Sequence, residues 1–185
     1  MLTTYRAEYR PGSRVGYVSI ESPSATFLTF EHRNHAFRIE HPANWRAQES
    51  ADGLSVTIAP EGGLVDTGGR ERALIYGVIV HAGAAFPREV GKATSDLVGR
   101  LVRANPMLKR VPDWQRSDTM GATFGLSLVL SGPSAVTGEE ERVTVIAREL
   151  PSDQLLLLAA LIAPAEDYGE LKTTFDRMIG SLRQL

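Results

Sequence analysis

The sequence predicts an α+β domain built on a largely antiparallel sheet covered by helices. Two observations carry that prediction. From Leu155 to Ile162 every residue is apolar, a run too short to cross a bilayer and suited to a strand hidden from water on both faces. After Pro164 the period changes, and Tyr168, Leu171, Phe175, Met178 or Ile179, and Leu182 fall on one side of a helix. That helix hides one face of the strand, and the rest of the chain must supply the other neighbours.

The chain has the size of one domain, 185 residues and 20.2 kDa. A domain of this length buries roughly two-thirds of its unfolded surface and needs no covalent staple. Cysteine supplies none, because its count is zero, which excludes disulfides, thiolate metal sites and cysteine nucleophiles together. Lys plus Arg number 20 against 22 Asp plus Glu, for a formal net charge of -2. With the signs interleaved along the chain, no broad positive field recommends nucleic acid as a partner. The opening residues carry Arg6, Glu8, Arg10 and Arg14 without an apolar run, so no signal peptide is expected. This composition suits the cytoplasm and the cell envelope alike, with membrane contact at most peripheral.

In chain order, residues 1–24 mix charges with Pro11, Gly12, Gly16 and Pro23 and read as an irregular or extended lead-in with at most an edge strand. Residues 25–185 are expected to form the domain. Phe27 to Phe30 and Ala36 to Ile39 are two short strands around a turn at Arg33-Asn34, with Phe37 and Ile39 facing one way and Arg38 the other. Trp45, just after Pro42 and Asn44, reads as a lid over the sheet's open end. Leu54, Val56 and Ile58 alternate as the next inward row.

From Glu61 to Gly69 the glycines mark a long loop or wide hairpin end. Ala73 to Val80 is a mostly apolar strand interrupted at Gly77, where a neighbour approaches closely. A helix from about Arg88 to Ala104 buries Val90, Ala93, Leu97, Leu101 and Ala104, and Asn105-Pro106 stops it. Trp114 to Met120 is a strand with its back to water. Gly125 to Leu130 pairs with Glu141 to Arg148 across a glycine-rich loop, and the Leu155 strand follows the turn at Pro151-Ser152-Asp153 to complete a meander. Glu166 and Asp167 open the final helix and Arg177 and Arg183 lie toward its end, in agreement with its dipole. The two helices lie one on either face of the sheet or both together, and the apolar Leu155 strand favours cover on both.

The chain offers no established set of catalytic residues. His32, His35 and His41 are close in sequence but have no cysteine to complete a metal set, and they read as turn and surface histidines. The glycine-rich loop lacks the order of a P-loop or a dinucleotide fingerprint and contains no lysine. No metal or cofactor is therefore expected. Ser131 and Ser134 flank Gly132-Pro133 outside any G-x-S-x-G string and suit a turn. His81 and Asp66 meet at one sheet edge in a weak hydrolase arrangement that lacks a nucleophile. Arg100, Arg103, Lys109, Arg110 and Arg116 are the basic concentration, a solvated face or a patch for an acidic partner or phospholipid headgroups.

Several strings resemble a known group. Phe37-Arg38-Ile39-Glu40-His41-Pro42-Ala43-Asn44-Trp45 resembles the opening strand of PsbP-like domains, and Tyr168-Gly169-Glu170-Leu171 with Phe175 to Leu182 resembles their closing helix. Ile58 to Gly63, Tyr76 to Val80 and Asn105-Pro106 resemble landmarks of the extra domain behind the catalytic domain of some bacterial M48-class zinc metallopeptidases. The resemblance spans about Ala36 to Leu185. It implies a PsbP/Mog1-like fold, an antiparallel sheet between helices in an α/β/α arrangement. It transfers no peptidase activity, because the chain has no H-E-x-x-H string.

The expected function is a non-enzymatic accessory or protein-binding domain, partnered by another protein or by a domain of a parent chain. Its expected contact surface comprises Trp45, the loop of Gly62 and Gly63 through Gly69, and Arg100, Arg103 and Arg110. The alternatives are a small-molecule or lipid carrier with an apolar cavity between sheet and helix, and a hydrolase using His81 and Asp66.

Overall fold

The computed structural model describes residues 2–7, 16–34, 36–66, 72–84, 90–112, 116–120, 123–150 and 155–185. In chain order the elements begin with β1 (Leu2–Ala7) and β2 (Gly16–Glu21), then β3 (Phe27–Glu31), β4 (Phe37–Pro42), β5 (Trp45–Glu49) and β6 (Ser55–Pro60). Short strands β7 (Leu64–Asp66) and β8 (Arg72–Leu74) precede β9 (Gly77–Ala84) and helix α1 (Val90–Ala104). After α1 come β10 (Lys109–Arg110), β11 (Arg116–Met120), β12 (Thr123–Pro133), β13 (Glu140–Leu150) and β14 (Leu155–Pro164). Helix α2 (Ala165–Ser181) and β15 (Arg183–Gln184) close the chain.

The main sheet runs in the order β10-β12-β13-β14-β9-β6-β5, with β11 also paired to β12. Each pair in it is antiparallel, including the expected meander: Val145 of β13 faces Leu128 on one side and Ala160 on the other. A three-stranded sheet β15-β4-β3 lies beside it. Within the expected lead-in, β1 pairs antiparallel with β2, and Ile20 of β2 is buried in the main core.

Strand β14 is hidden on both faces, as its composition requires. Leu157, Ala159, Leu161 and Ala163 join the core beneath α2, with Phe175, Met178 and Ile179. Ile162 turns the other way, into the cluster containing Val98 of α1, and Leu156 and Leu158 pack with Leu97. The helices therefore cover opposite faces, giving an α/β/α sandwich. The face of α2 is the predicted one, with Tyr168, Leu171, Phe175, Met178 and Ile179 buried and Leu182 1% exposed.

Helix α1 differs in detail. Among the described residues of α1, Thr94 and Val98 are buried, Leu97 and Leu101 are half-buried, and Ala104 is exposed. The stripe lies one position further along because Asn105, at the helix end, is drawn to the sheet by two side-chain hydrogen bonds. Leu54 also departs from expectation. It is 41% exposed because β6 starts at Ser55 and the carbonyl of Leu54 instead takes the N–H of Ala82. At Gly77 the expected close approach is present: a Cβ there would sit 2.5 Å from the carbonyl oxygen of Ile58. Expectations for His35, residues 67–71, the helix start at Arg88, Trp114 and the Pro151-Ser152-Asp153 turn lie outside the described residues, as do the side chains of Val90, Ala93 and Arg116.

Candidate functional site

Between Leu97 and Pro112 the sequence has four cations, Arg100, Arg103, Lys109 and Arg110, and no carboxylate. The fold puts the first two on the exposed side of α1 and the other two on the edge strand β10, where all four are exposed. None of them has an ion-pair partner among the described residues. Met107, 54% exposed, lies in the turn between them and adds a pliable apolar element to a basic strip.

That turn is held firmly. Asn105 Nδ2 donates to the Pro133 carbonyl at 3.0 Å and to Glu141 Oε1 at 2.8 Å, while its Oδ1 accepts from the Met107 N–H at 3.1 Å. Gly132 lets the turn close, since a Cβ there would lie 2.3 Å from the Met107 carbonyl oxygen. Glu141 is 9% exposed, and burial pushes its carboxyl above the ordinary value despite hydrogen bonds from Asn105 and Ser134. The basic strip thus projects from a rigid support, which lowers the entropic cost of docking.

Trp45 and the glycine turn do not join this surface. Trp45 is 2% exposed, its ring edge-on to Tyr76 at 6.1 Å and to Phe175 at 6.3 Å between centroids. It starts β5 and fills the core under α2, so the lid and contact readings give way to a packing role. The carbonyl of Gly63 accepts from the N–H groups of Ile75 and Tyr76, and Gly63 is itself buried beside the half-buried Gly62. Burial of the Tyr76 phenol pushes its pKa up to about 12, helped by the charge of Glu170. β5 and β10 occupy opposite edges of the main sheet, six strand spacings or about 29 Å apart. One compact partner contact cannot centre on both.

His81 and Asp66 are not brought together. Asp66 Oδ1 pairs with Arg72 Nε at 3.5 Å on the β7–β8 hairpin. His81 lies four residues into β9 beyond Gly77, about 13 Å along the strand, and its Nδ1 is 2.8 Å from Ser55 Oγ, its cross-strand neighbour. Burial and then the nearby Arg100 charge lower the His81 pKa, against the opposing charge of Asp52. Ser55 was missed from sequence because only the β6–β9 register reveals the pairing.

His32 and His41 are structural. His32 is 2% exposed and stacks on Phe37 with centroids 5.0 Å apart, and His41 is 6% exposed with Nδ1 3.0 Å from the Pro42 carbonyl oxygen. Both belong to the interior, contrary to the surface expectation. No group of three or more potential ligands occurs among the described residues. The space between sheet and α2 is filled by Trp45, Leu171, Phe175 and Met178, each no more than 2% exposed, where the carrier reading requires an apolar cavity. A cleft of about 310 Å³ lies elsewhere, lined by Thr29, Arg38, Ile39, Glu40, Ser181 and Arg183. Among the described residues, no helix is long and apolar enough to cross a membrane.

No protein-family model matches the chain, and no curated protein is similar to it in sequence. Solved structures are similar in fold. The cyanobacterial PsbP of Synechocystis aligns with a TM-score of 0.56 at 10% identity, over 87% of this chain and 94% of its own. The Ran-binding protein Mog1p of Saccharomyces cerevisiae aligns at 0.53 and 10% identity, over 88% and 96%. LpqN of Mycobacterium tuberculosis, described as involved in cell envelope biogenesis, aligns at 0.53 and 15% identity, over 85% and 89%. The chain therefore has a PsbP/Mog1-like fold.

Proposed function

We propose that this chain is a non-enzymatic protein-binding or accessory domain, and that its contact surface is the strip of Arg100, Arg103, Lys109 and Arg110 around Met107. The observation that carries the reading is an acid-free run of exposed cations on a pinned turn. Unpaired surface cations on a rigid element are suited to steering and registering an acidic partner. The fold supports the same class of role, since a neighbour of this fold is described as binding Ran. The partner is another protein or a domain of a parent chain, and the resemblance to the extra domain of M48-class peptidases makes substrate positioning one form such a role takes.

The test is charge reversal. The triple variant Arg100→Glu, Arg103→Glu and Arg110→Glu is titrated against poly-glutamate at low and physiological salt, beside a circular-dichroism melt. Binding by the unmodified protein should weaken with salt, and the variant should bind at least tenfold more weakly with an unchanged melt. Equal affinity of the two proteins rejects the surface.

A further inference from the structure

The three-stranded sheet sets two arginines side by side on neighbouring strands. Arg38 and Arg183 are direct cross-strand partners in the β4–β15 pair, so their side chains leave the same face, where like charges repel; Glu31 stands opposite Arg38 on the β3 side. Both arginines line the cleft of about 310 Å³, together with Thr29 and Ser181. Neither arginine has a carboxylate partner among the described residues. Glu40, which also lines the cleft, has its Oε2 3.4 Å from Nη2 of Arg177, so its charge is already shared with a third guanidinium.

The geometry of the remaining groups is fixed. Arg183 directs Nη1 to the carbonyls of Gly180 and Leu182 at 2.6 and 2.8 Å, which holds its head against the end of α2. Its other N–H groups are left over, since a guanidinium has five donors. Ser181 Oγ accepts from the Glu40 N–H at 2.8 Å and donates to the Met178 carbonyl at 2.7 Å, bracing the cleft wall.

We propose that this cleft binds a small soluble organic anion, with its carboxylate or phosphate group held between Arg38 and Arg183. An oxyanion bridging two guanidinium forks turns the repulsive register into an attractive one and uses the planar donors these residues present. The volume lies at the lower end of small-molecule sites, roughly 300 to 1,000 Å³. The site is built on β4, β15 and the end of α2, separately from the basic strip on α1 and β10, and stands whether or not that strip binds a partner.

The experiment follows thermal unfolding and the arginine Nε–Hε NMR resonances during titration with citrate and with sn-glycerol 3-phosphate, against sodium chloride at matched ionic strength. At least one of the two anions should raise the melting temperature saturably beyond chloride and shift the Arg38 and Arg183 resonances together. Arg38→Gln should lose the anion-induced rise. Arg183→Lys, which keeps the charge without the fork, should bind at least tenfold more weakly, and it carries the test should Arg38→Gln fail to fold. The triple charge reversal on α1 and β10 should leave the anion response intact. The proposal is overturned by a response to both anions no larger than that to chloride, by full retention in Arg38→Gln, or by binding only to phosphatidic-acid vesicles and to neither soluble anion.

Discussion

Glycine 77 and Glu141 illustrate how single residues set local energetics. Gly77 has φ +144 and its Cβ position is occupied by the Ile58 carbonyl, so Gly77→Ala meets both backbone strain and a clash. The expected loss is about 2 to 4 kcal/mol in urea unfolding, beyond an ordinary surface substitution. The close approach was legible from the glycine itself, whereas the single strand expected from Ala73 to Val80 is two, β8 ending at Leu74 and β9 beginning at Gly77. For Glu141 the raised folded-state pKa fixes a sign: the native chain holds this proton more tightly than the unfolded one. Its contribution is complete below the ordinary value of 4.5 and declines as pH rises through the elevated one. Glu141→Gln keeps an acceptor for Asn105 and carries no charge, so its stability should be flatter across that window in a pH series of melts. A decline as steep as in the unmodified protein would contradict the assignment. Nothing near Glu141 in sequence announces its burial, since Asn105 lies 36 positions away.

At the level of elements, α2 was the most legible part because its period, its acidic first turn and the apolar strand before it agree. Phe175, 1% exposed, touches the rings of Trp45 and Tyr168, and Phe175→Ala should cost about 3 to 5 kcal/mol in denaturant unfolding. Tyr168 also ties the helix to the sheet through its hydroxyl, which donates to Thr144 Oγ1 at 2.6 Å. Tyr168→Phe should cost about 1 kcal/mol, the net value of one such bond. The stripe of α1 was less legible, because a polar residue, Asn105, helps to anchor it and hydrophobic periodicity does not count polar anchors. Trp45 misled for a related reason. The turn after Pro42 is so short that the tryptophan starts the next strand, with Asn44 tied back to Ser22 and Ser24. A strand start and a lid share the same local sequence.

For the molecule as a whole, the sandwich followed from the two-faced burial of β14, whereas the arrangement of surface groups followed from strand order, which periodicity does not encode. The sequence grouped Trp45, Gly62 and Gly63 with the arginines. The sheet order separates β5 from β10 by the full width of the sheet, and leaves the arginine strip as the candidate surface. The same nonlocality hid the Arg38–Arg183 pair and the Ser55–His81 bond, each formed by strands far apart in the chain.

The most direct test of the proposed surface is a two-dimensional NMR titration with an oligo-glutamate peptide, read at the amides of α1 and β10 and at the Trp45 indole. The proposal predicts saturable shifts at Arg100, Arg103, Met107 and Arg110 while the Trp45 indole and Gly63 amide stay in place. Shifts centred on Trp45 and Gly63, or no saturable shift at the four strip residues, would contradict it.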